Sequence, residues 1–352
     1  MDTASAHLAR LGARSRPTGG AAVADARAYC AATLRGLGFS VREHSFEYSA
    51  FPGAYAAPAF GLAIPTLATL SFATRHTPFA WIAVAIAIVA IWLLIRFTGS
   101  WAVLDGPLMR RTGVNLAAVR GSERPRVWLV AHLDSKWQPV SMITRVAGVL
   151  TLGVGLVALA ITAAVWPNAA PLALGLIGVG AIPLVLSVVG DANDGTLDNA
   201  SGVAAVLEAV SLLAPDLPLG VLIADAEELA LAGARAWARS SAPAIALNCD
   251  SVDDAGSLVV MYTRTKPARL TQALGAAAVS AGEPLRTLRL IPGILTDSVA
   301  LADAGWQSVT LSRGTIRTLQ RIHTARDTLA GMRGTGIAGA ARVLAGAATE
   351  LS

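Results

Sequence analysis

Apolar residues are distributed along this chain in two ways. In four stretches they run on almost unbroken: 56–73, 78–97, 146–165 and 169–189. A helix of about twenty residues is about 30 Å long, the thickness of a bilayer's hydrocarbon core. The last three stretches reach that length with no charge short of their ends, and the first is shorter and carries Pro58 and Pro65. Short connections at 74–77 and 166–168 pair them, which predicts two helical hairpins crossing a membrane. Burial of four such segments inside one small domain is the weaker alternative.

Elsewhere the periods are those of an α/β domain. Residues 22–37 suit a helix, followed by Gly38 and the alternating strand SVREHSFEYS. VNLAAV, VWLVAH, VLIA (221–224) and IALNC (245–249) are short apolar runs of the kind that fill a sheet covered on both faces. Ser201 is placed to cap a helix whose apolar face holds Val203, Val206, Leu207, Val210 and Leu213. The prediction is a mostly parallel mixed sheet flanked by helices. It is built from 1–55, 98–145 and 190–352, with hairpins inserted at 56–97 and 146–189.

Composition sharpens the membrane reading. The 352 residues are 54% hydrophobic and only 14% charged, against about 25% charged in ordinary soluble domains. The net charge of +5 comes without aromatic–basic clusters, so no nucleic-acid partner is expected. Basic residues gather in 98–145 (Arg110, Arg111, Arg120, Arg124, Arg126, Lys136, Arg145), whereas the hairpin tips hold only Arg75. The positive-inside rule then puts the soluble part in the cytoplasm, on a bacterial-type inner or plasma membrane. Cys30 and Cys249 form no CxxC pair, and MDTASAHLARLGARSRP lacks the apolar core of a cleaved signal peptide. Both agree with a reducing compartment.

Candidate chemistry collects where strands end. VWLVA runs into His132 and Asp134, VLIAD into Glu227 and Glu228, and IALNC into Asp250. Asp198 lies in the loop GDANDGTLDNASG, directly after the fourth apolar stretch, and His323 lies in RIHTARDTL. Taken singly, each has a bland reading: a core histidine, a helix-start acid, a capping aspartate. Together, so many carboxylates at one sheet edge repel one another unless cations sit among them.

In order, HLDS, DNASG, EE, NCD and IHTARDT resemble the motifs of the co-catalytic zinc aminopeptidases, a family whose relatives include glutamate carboxypeptidase and glutaminyl cyclase. The segment from RSRPTGG to VREHSFEY also resembles that family's opening helix and strand. The resemblance covers roughly 8–50, 113–135 and 190–330 and leaves out the hairpins. It implies two zinc ions, or other divalent metals, bridged by Asp198. His132 and Asp250 would complete one ion's ligands, and Glu228 and His323 the other's. Glu227 would be the general base. Asp134, two residues from His132 on the same strand face, would accept the imidazole's second N–H. The implied reaction is removal of N-terminal residues from peptides with a free α-amine. Two departures bear on the pocket: Thr296-Asp297-Ser298 replaces the usual Ser-Asp-His, and Ala230 stands where a glycine is usual. Tyr262 is a candidate oxyanion donor, although LVVMYT reads more simply as a half-buried strand.

The family's opening strand and HLDS strand run parallel, so both hairpins should leave from the active-site edge. The catalytic mouth would then face the bilayer, with Trp101, Trp137, Lys136 and Arg145 at the interface, and substrates would include hydrophobic or membrane-associated peptides. Dipeptide cleavage and amide deacylation are alternatives on the same site, and a catalytically silent membrane scaffold or receptor is the alternative outside enzymes. A transporter is disfavoured by the lack of charge within the spans.

Overall fold

The computed structural model describes residues 3–74, 102–290 and 294–352, with single positions at 82, 85, 86, 89 and 92. The apolar stretch 78–97 and Trp101 therefore lie outside the described residues, apart from five isolated positions of that stretch.

Helices α1 (Thr3–Leu11) and α2 (Ala21–Gly36) lead through Gly38, whose φ of +82° suits glycine, into β1 (Ser40–Ser49). Helix α3 (Phe51–Ala73) begins two residues later, earlier than the expected 56, and runs through Pro58 and Pro65 unbroken. Then follow β2 (Arg110–Arg120), β3 (Val127–His132), α4 (Met142–Val165) and α5 (Ala170–Val185). The remainder alternates: α6 (Ser201–Ser211), β4 (Leu219–Ala224), α7 (Ala232–Ser240), β5 (Ile245–Val252), β6 (Ser257–Tyr262), α8 (Ala268–Ala281) and β7 (Leu285–Arg289). It closes with α9 (Asp297–Asp303), β8 (Gln307–Gly314), α10 (Ile316–Arg321) and α11 (Ile337–Leu351).

The strands form one mixed sheet in the order β1-β2-β4-β3-β5-β8-β6-β7. β4, β3, β5 and β8 pair in parallel, while β2 is antiparallel to both β1 and β4. Two reversals restore the direction, so β1 runs the same way as β3. Both segments that lead into apolar helices thus leave from the carboxyl edge.

Alternation along the strands divides the core. Leu129, Ala131, Val221, Ile223, Leu247 and Cys249 pack under α1, α2, α6, α8 and α11, whereas Trp128, Val130, Leu222 and Ala246 meet Trp237, Leu301 and Trp306 on the other face. Ser201 does not cap α6. It is the helix's first residue, and its hydroxyl donates to the Leu197 carbonyl (2.7 Å) and accepts from the Val252 N–H (2.8 Å). A buried loop needed those bonds more than an already packed helix start did.

Helices α3, α4 and α5 pack together away from the sheet, around Ile64, Ala68, Leu152, Ile177, Ala181 and Leu184. Close approach depends on small residues: a Cβ at Gly180 would lie 2.4 Å from the Leu152 backbone nitrogen. Among the described residues, Phe51–Ala73, Met142–Ala163 and Pro167–Val185 are helices long and apolar enough to cross a membrane.

Candidate metal centre

Backbone direction explains how the donors meet. His132 is the last residue of β3, level with Ala224 at the end of parallel β4, so the chain beyond β4 carries Glu227 and Glu228 to the same edge. In β5 the register shifts between Cys249 and Val252, which re-aims Asp250. Asp198 lies in the irregular turn Thr196–Ala200, and His323 follows α10. Ala226, Ser251 and His323 all have left-handed φ values (56°, 58° and 63°). Non-glycine residues hold that conformation only where surroundings enforce it, and such outliers gather at functional sites.

The structure brings together all seven residues expected from the sequence: His132, Asp134, Asp198, Glu227, Glu228, Asp250 and His323 are buried around one point. Asp198 gives one oxygen to each histidine: Oδ1 lies 3.1 Å from His132 Nε2, and Oδ2 lies 3.0 Å from His323 Nε2. His132 Nε2 is also 3.8 Å from Asp250 and 4.0 Å from Glu227, and His323 Nε2 is 3.0 Å from Glu228 Oε2. Two three-donor groups result, His132–Glu227–Asp250 and Asp198–Glu228–His323. The short Asp198–His132 contact adds Asp198 to the first group as well.

The Asp134 carboxylate is not the nearest acceptor for the imidazole's second N–H, contrary to expectation. The nearest acceptor for His132 Nδ1 is the Asp134 backbone carbonyl at 3.1 Å, with its carboxylate at 3.6 Å. That carboxylate accepts from the backbone N–H groups of Glu227 (3.0 Å) and Glu228 (3.1 Å) and from the Thr18 hydroxyl (3.2 Å).

Three further positioning residues escaped the sequence reading. Fully buried Arg16 donates to the carbonyls of Leu133 (2.9 Å), Asp194 (2.8 Å) and Gly195 (2.7 Å), joining the β3 exit to the Asp198 loop. Burial lowers its pKa to about 10, against the pull of Asp327 and Asp134. Asp327 accepts from the N–H groups of Leu197 (2.6 Å) and Asp198 (3.1 Å). Asn199 accepts from those of Gly202 (2.9 Å) and Ser251 (3.1 Å) and donates to the Cys249 carbonyl (3.0 Å). The only available signal was their place inside RSRP, DNASG and HTARDT.

Electrostatics set the donors against one another. Burial favours neutral His132, but Glu227, Asp134, Asp198 and Asp250 outweigh it and hold its pKa well above the ordinary value. Burial raises Glu227, and the neighbouring Glu228, Asp297 and Asp250 raise it further against the pull of His132. Asp198 is held far below the usual carboxylate range, burial notwithstanding, by the two histidines. Glu228 is lowered despite burial, by His323 and Lys136. His132 Nε2, His323 Nε2 and Glu228 Oε1 are buried without a hydrogen-bond partner among the described residues. Buried ring nitrogens and a carboxylate oxygen left unpaired among converging acids are what metal ligands look like, and the imidazole–carboxylate set suits zinc.

Some expectations need correction. Lys136 and Arg145 do not face an interface but turn inward: Lys136 Nζ lies 2.7 Å from Glu228 Oε2, and Arg145 donates to His323 Nδ1 at 2.8 Å. The buried carboxylate cluster attracts them more strongly than hydrated headgroups would. Trp137 is half-buried and bridges to Gly190, each backbone N–H donating to the other's carbonyl at 2.9 Å. Tyr262, on β6 beyond β8, packs against the main core, which removes the support for an oxyanion role. Ala230 has φ +69°, the conformation that the usual glycine would hold without strain.

A mixed sheet with two histidines and a shared carboxylate at its carboxyl edge defines an α/β metallohydrolase. The model of peptidase family M28 matches residues 115–348. The chain belongs to peptidase family M28 and is a zinc metallopeptidase. Among solved structures it is similar to an aminopeptidase from Aneurinibacillus sp. strain AM-1 (15% identity, 99% of this chain and 92% of that one, TM-score 0.59). A leucine aminopeptidase precursor from Bacteroides thetaiotaomicron VPI-5482 (15%, 98% and 95%, 0.60) and a Porphyromonas gingivalis glutaminyl cyclase (15%, 100% and 98%, 0.58) share the fold. No curated protein matches the chain by sequence.

Proposed function

We propose that the protein is a membrane-anchored, dinuclear zinc aminopeptidase that releases N-terminal residues from peptides. The observation that carries the reading is Asp198, whose two oxygens face two different histidines at 3.1 and 3.0 Å. His132, Asp250 and Asp198 would hold one ion, and Glu228, His323 and Asp198 the other. The ions would lower the pKa of a shared water and polarise the scissile carbonyl. Glu227 takes the attacking water's proton and passes it to the leaving amine; burial beside other carboxylates raises its proton affinity toward that task. Asp134 fixes the Glu227–Glu228 backbone through two hydrogen bonds, so the base and a ligand keep their spacing.

Anchoring is supported by three apolar helices, each with less than a third of its core window buried. Val154, Val157, Ile161 and Leu172 are 59 to 76% exposed, a cost in water and none in lipid. α3 follows β1 and α4 follows β3, so both helices leave from the edge that holds the donors. The reading places the fourth span at 78–97, the catalytic domain in the cytoplasm and the metal centre close to the bilayer, within reach of hydrophobic peptides.

Dipeptide cleavage is the second reading, favoured by one feature. A cavity of about 110 Å³ beside Glu228 is lined by Tyr55 and by two cations, Arg111 and Lys136; Lys136 is paired with Glu228, which leaves Arg111 to hold a short peptide's carboxylate. The test is zinc content and hydrolysis of aminoacyl anilides, dipeptides and longer peptides by detergent-purified protein and by Glu227→Gln. N-terminal release lost in the variant, with zinc retained, supports the reading; turnover unchanged by the variant overturns it.

A further inference from the structure

The two halves of the metal centre are not equivalent, and the difference comes from one stretch of chain. The first half, around His132 and Asp250, faces carboxylates, and the contacts of His132 Nε2 are all to acids. The second half has two protein cations already in place. Lys136 Nζ sits 2.7 Å from Glu228 Oε2 and 3.4 Å from the same residue's carbonyl, and both side chains are almost fully buried. Arg145 Nη2 lies 2.8 Å from His323 Nδ1. A guanidinium only donates, so His323 accepts at Nδ1 and its neutral form carries its proton on Nε2, the atom that points at Asp198 and Glu228. Lys136 lies in the link between β3 and α4, and Arg145 lies in the first turn of α4. Both cations therefore stand on the stretch of chain that leads from β3 into the apolar hairpin.

We infer that Lys136 and Arg145 make metal loading sequential, with the Asp198–Glu228–His323 half filling last and more weakly. The inference rests on the two-metal reading above. A second ion must evict the ammonium from Glu228 Oε2 or share the carboxylate with it. It must also take His323 through Nε2, which moves that nitrogen's proton to Nδ1 and turns Arg145 away. Eviction of the ammonium and loss of the Arg145 contact are costs that the first ion does not meet, and at these separations in a buried site charge repulsion is poorly screened. The two cations stabilise the metal-free carboxylates and so compete with the metal that would replace them.

The test uses full-length protein in detergent, stripped with a chelator and then given Zn²⁺ or Co²⁺ in steps, followed by calorimetry and by cobalt absorption. The wild type should bind its first ion at least tenfold more tightly than its second. Lys136→Met should tighten the second step about tenfold and leave the first unchanged. Arg145→Gln should act in the same direction, and it carries the test should Lys136→Met fail to fold. Equal affinities in the wild type would overturn the inference, as would a second step indifferent to both variants. Absence of any stoichiometric metal would instead overturn the dinuclear reading on which it rests.

Discussion

The carboxylate of Asp134 accepts hydrogen bonds from the consecutive backbone N–H groups of Glu227 and Glu228, at 3.0 and 3.1 Å. One side chain from the end of β3 thus sets the backbone of the β4 exit, where the base and a ligand are adjacent. Asp134→Ala would leave two buried N–H groups without acceptors. Activity should fall 10- to 100-fold, the range found when groups supporting a metal site are removed, and zinc content should drop with it. Asp134→Asn keeps one acceptor oxygen and should lose less. Equal kcat values for wild type and Asp134→Ala would show that the β4 exit is held by other means.

Asp297 makes stability depend on pH in the metal-free protein. It is fully buried, and neither carboxylate oxygen has a hydrogen-bond partner among the described residues. Burial, with Asp134, Asp250 and Glu228 nearby, raises its pKa to about 7 against the pull of His132. A carboxyl whose folded pKa lies above its unfolded value stabilises the fold below the unfolded pKa, and that stabilisation is lost as pH rises through the folded one. Between about pH 4 and 7 this group should remove up to about 1.4 kcal/mol per pH unit. Asp297→Asn should flatten that part of the melting-temperature profile and leave the variant more stable than wild type at pH 8. A profile of unchanged slope would contradict the assignment.

Much of this site was visible in the sequence because its donors stand at the ends of short apolar strands. β3, β4 and β5 declare themselves as local runs, and the residues that follow each run had to share an edge once the strands were parallel. That placed His132, Glu227, Glu228 and Asp250 at one edge, while their separate roles came from the resemblance to the zinc aminopeptidases. Arg16 and Asp327 were illegible for the opposite reason. Their work is to hold backbone groups of residues 194–198, and neither contact has a local pattern, because it exists only after three distant loops meet. Lys136 and Arg145 were misdirected by context: beside apolar segments a cation reads as a headgroup anchor, and only the assembled carboxylates show why these two turn inward.

Ala230 offers a test in which an apparent loss should be a gain. Its φ of +69° is unfavourable for a residue with a Cβ, by about 1–2 kcal/mol. Glycine removes that strain but adds chain entropy to the unfolded state, a loss of roughly 0.5–1 kcal/mol. Ala230→Gly should therefore stabilise the protein by up to about 1 kcal/mol, read as a small rise in denaturation midpoint with an unchanged slope. Destabilisation by this variant would mean that the Ala230 methyl, which is buried with Leu229 and Tyr48, matters more than the backbone.

Val157 distinguishes a membrane helix from an apolar helix at a water-exposed surface. It lies in the middle of α4 and is 61% exposed, and no carboxylate stands in that helix to meet a charge. On a water-facing surface, Val157→Arg should change stability by no more than about 0.5 kcal/mol. At the centre of a bilayer-spanning helix an arginine costs about 2.5–3.5 kcal/mol, so the same variant should insert poorly and accumulate far less in the membrane fraction. Val157→Leu is the matched control and should behave as wild type. A fluorophore at a cysteine introduced in place of Val157 adds an independent readout, since brominated lipids quench only what they touch. Strong quenching there, with little at the exposed β7 residue Leu288 (38% exposed), is the result the anchored arrangement requires. Val157→Arg at full yield, together with equal quenching at the two positions, would detach the metal centre from the bilayer while leaving its chemistry as described.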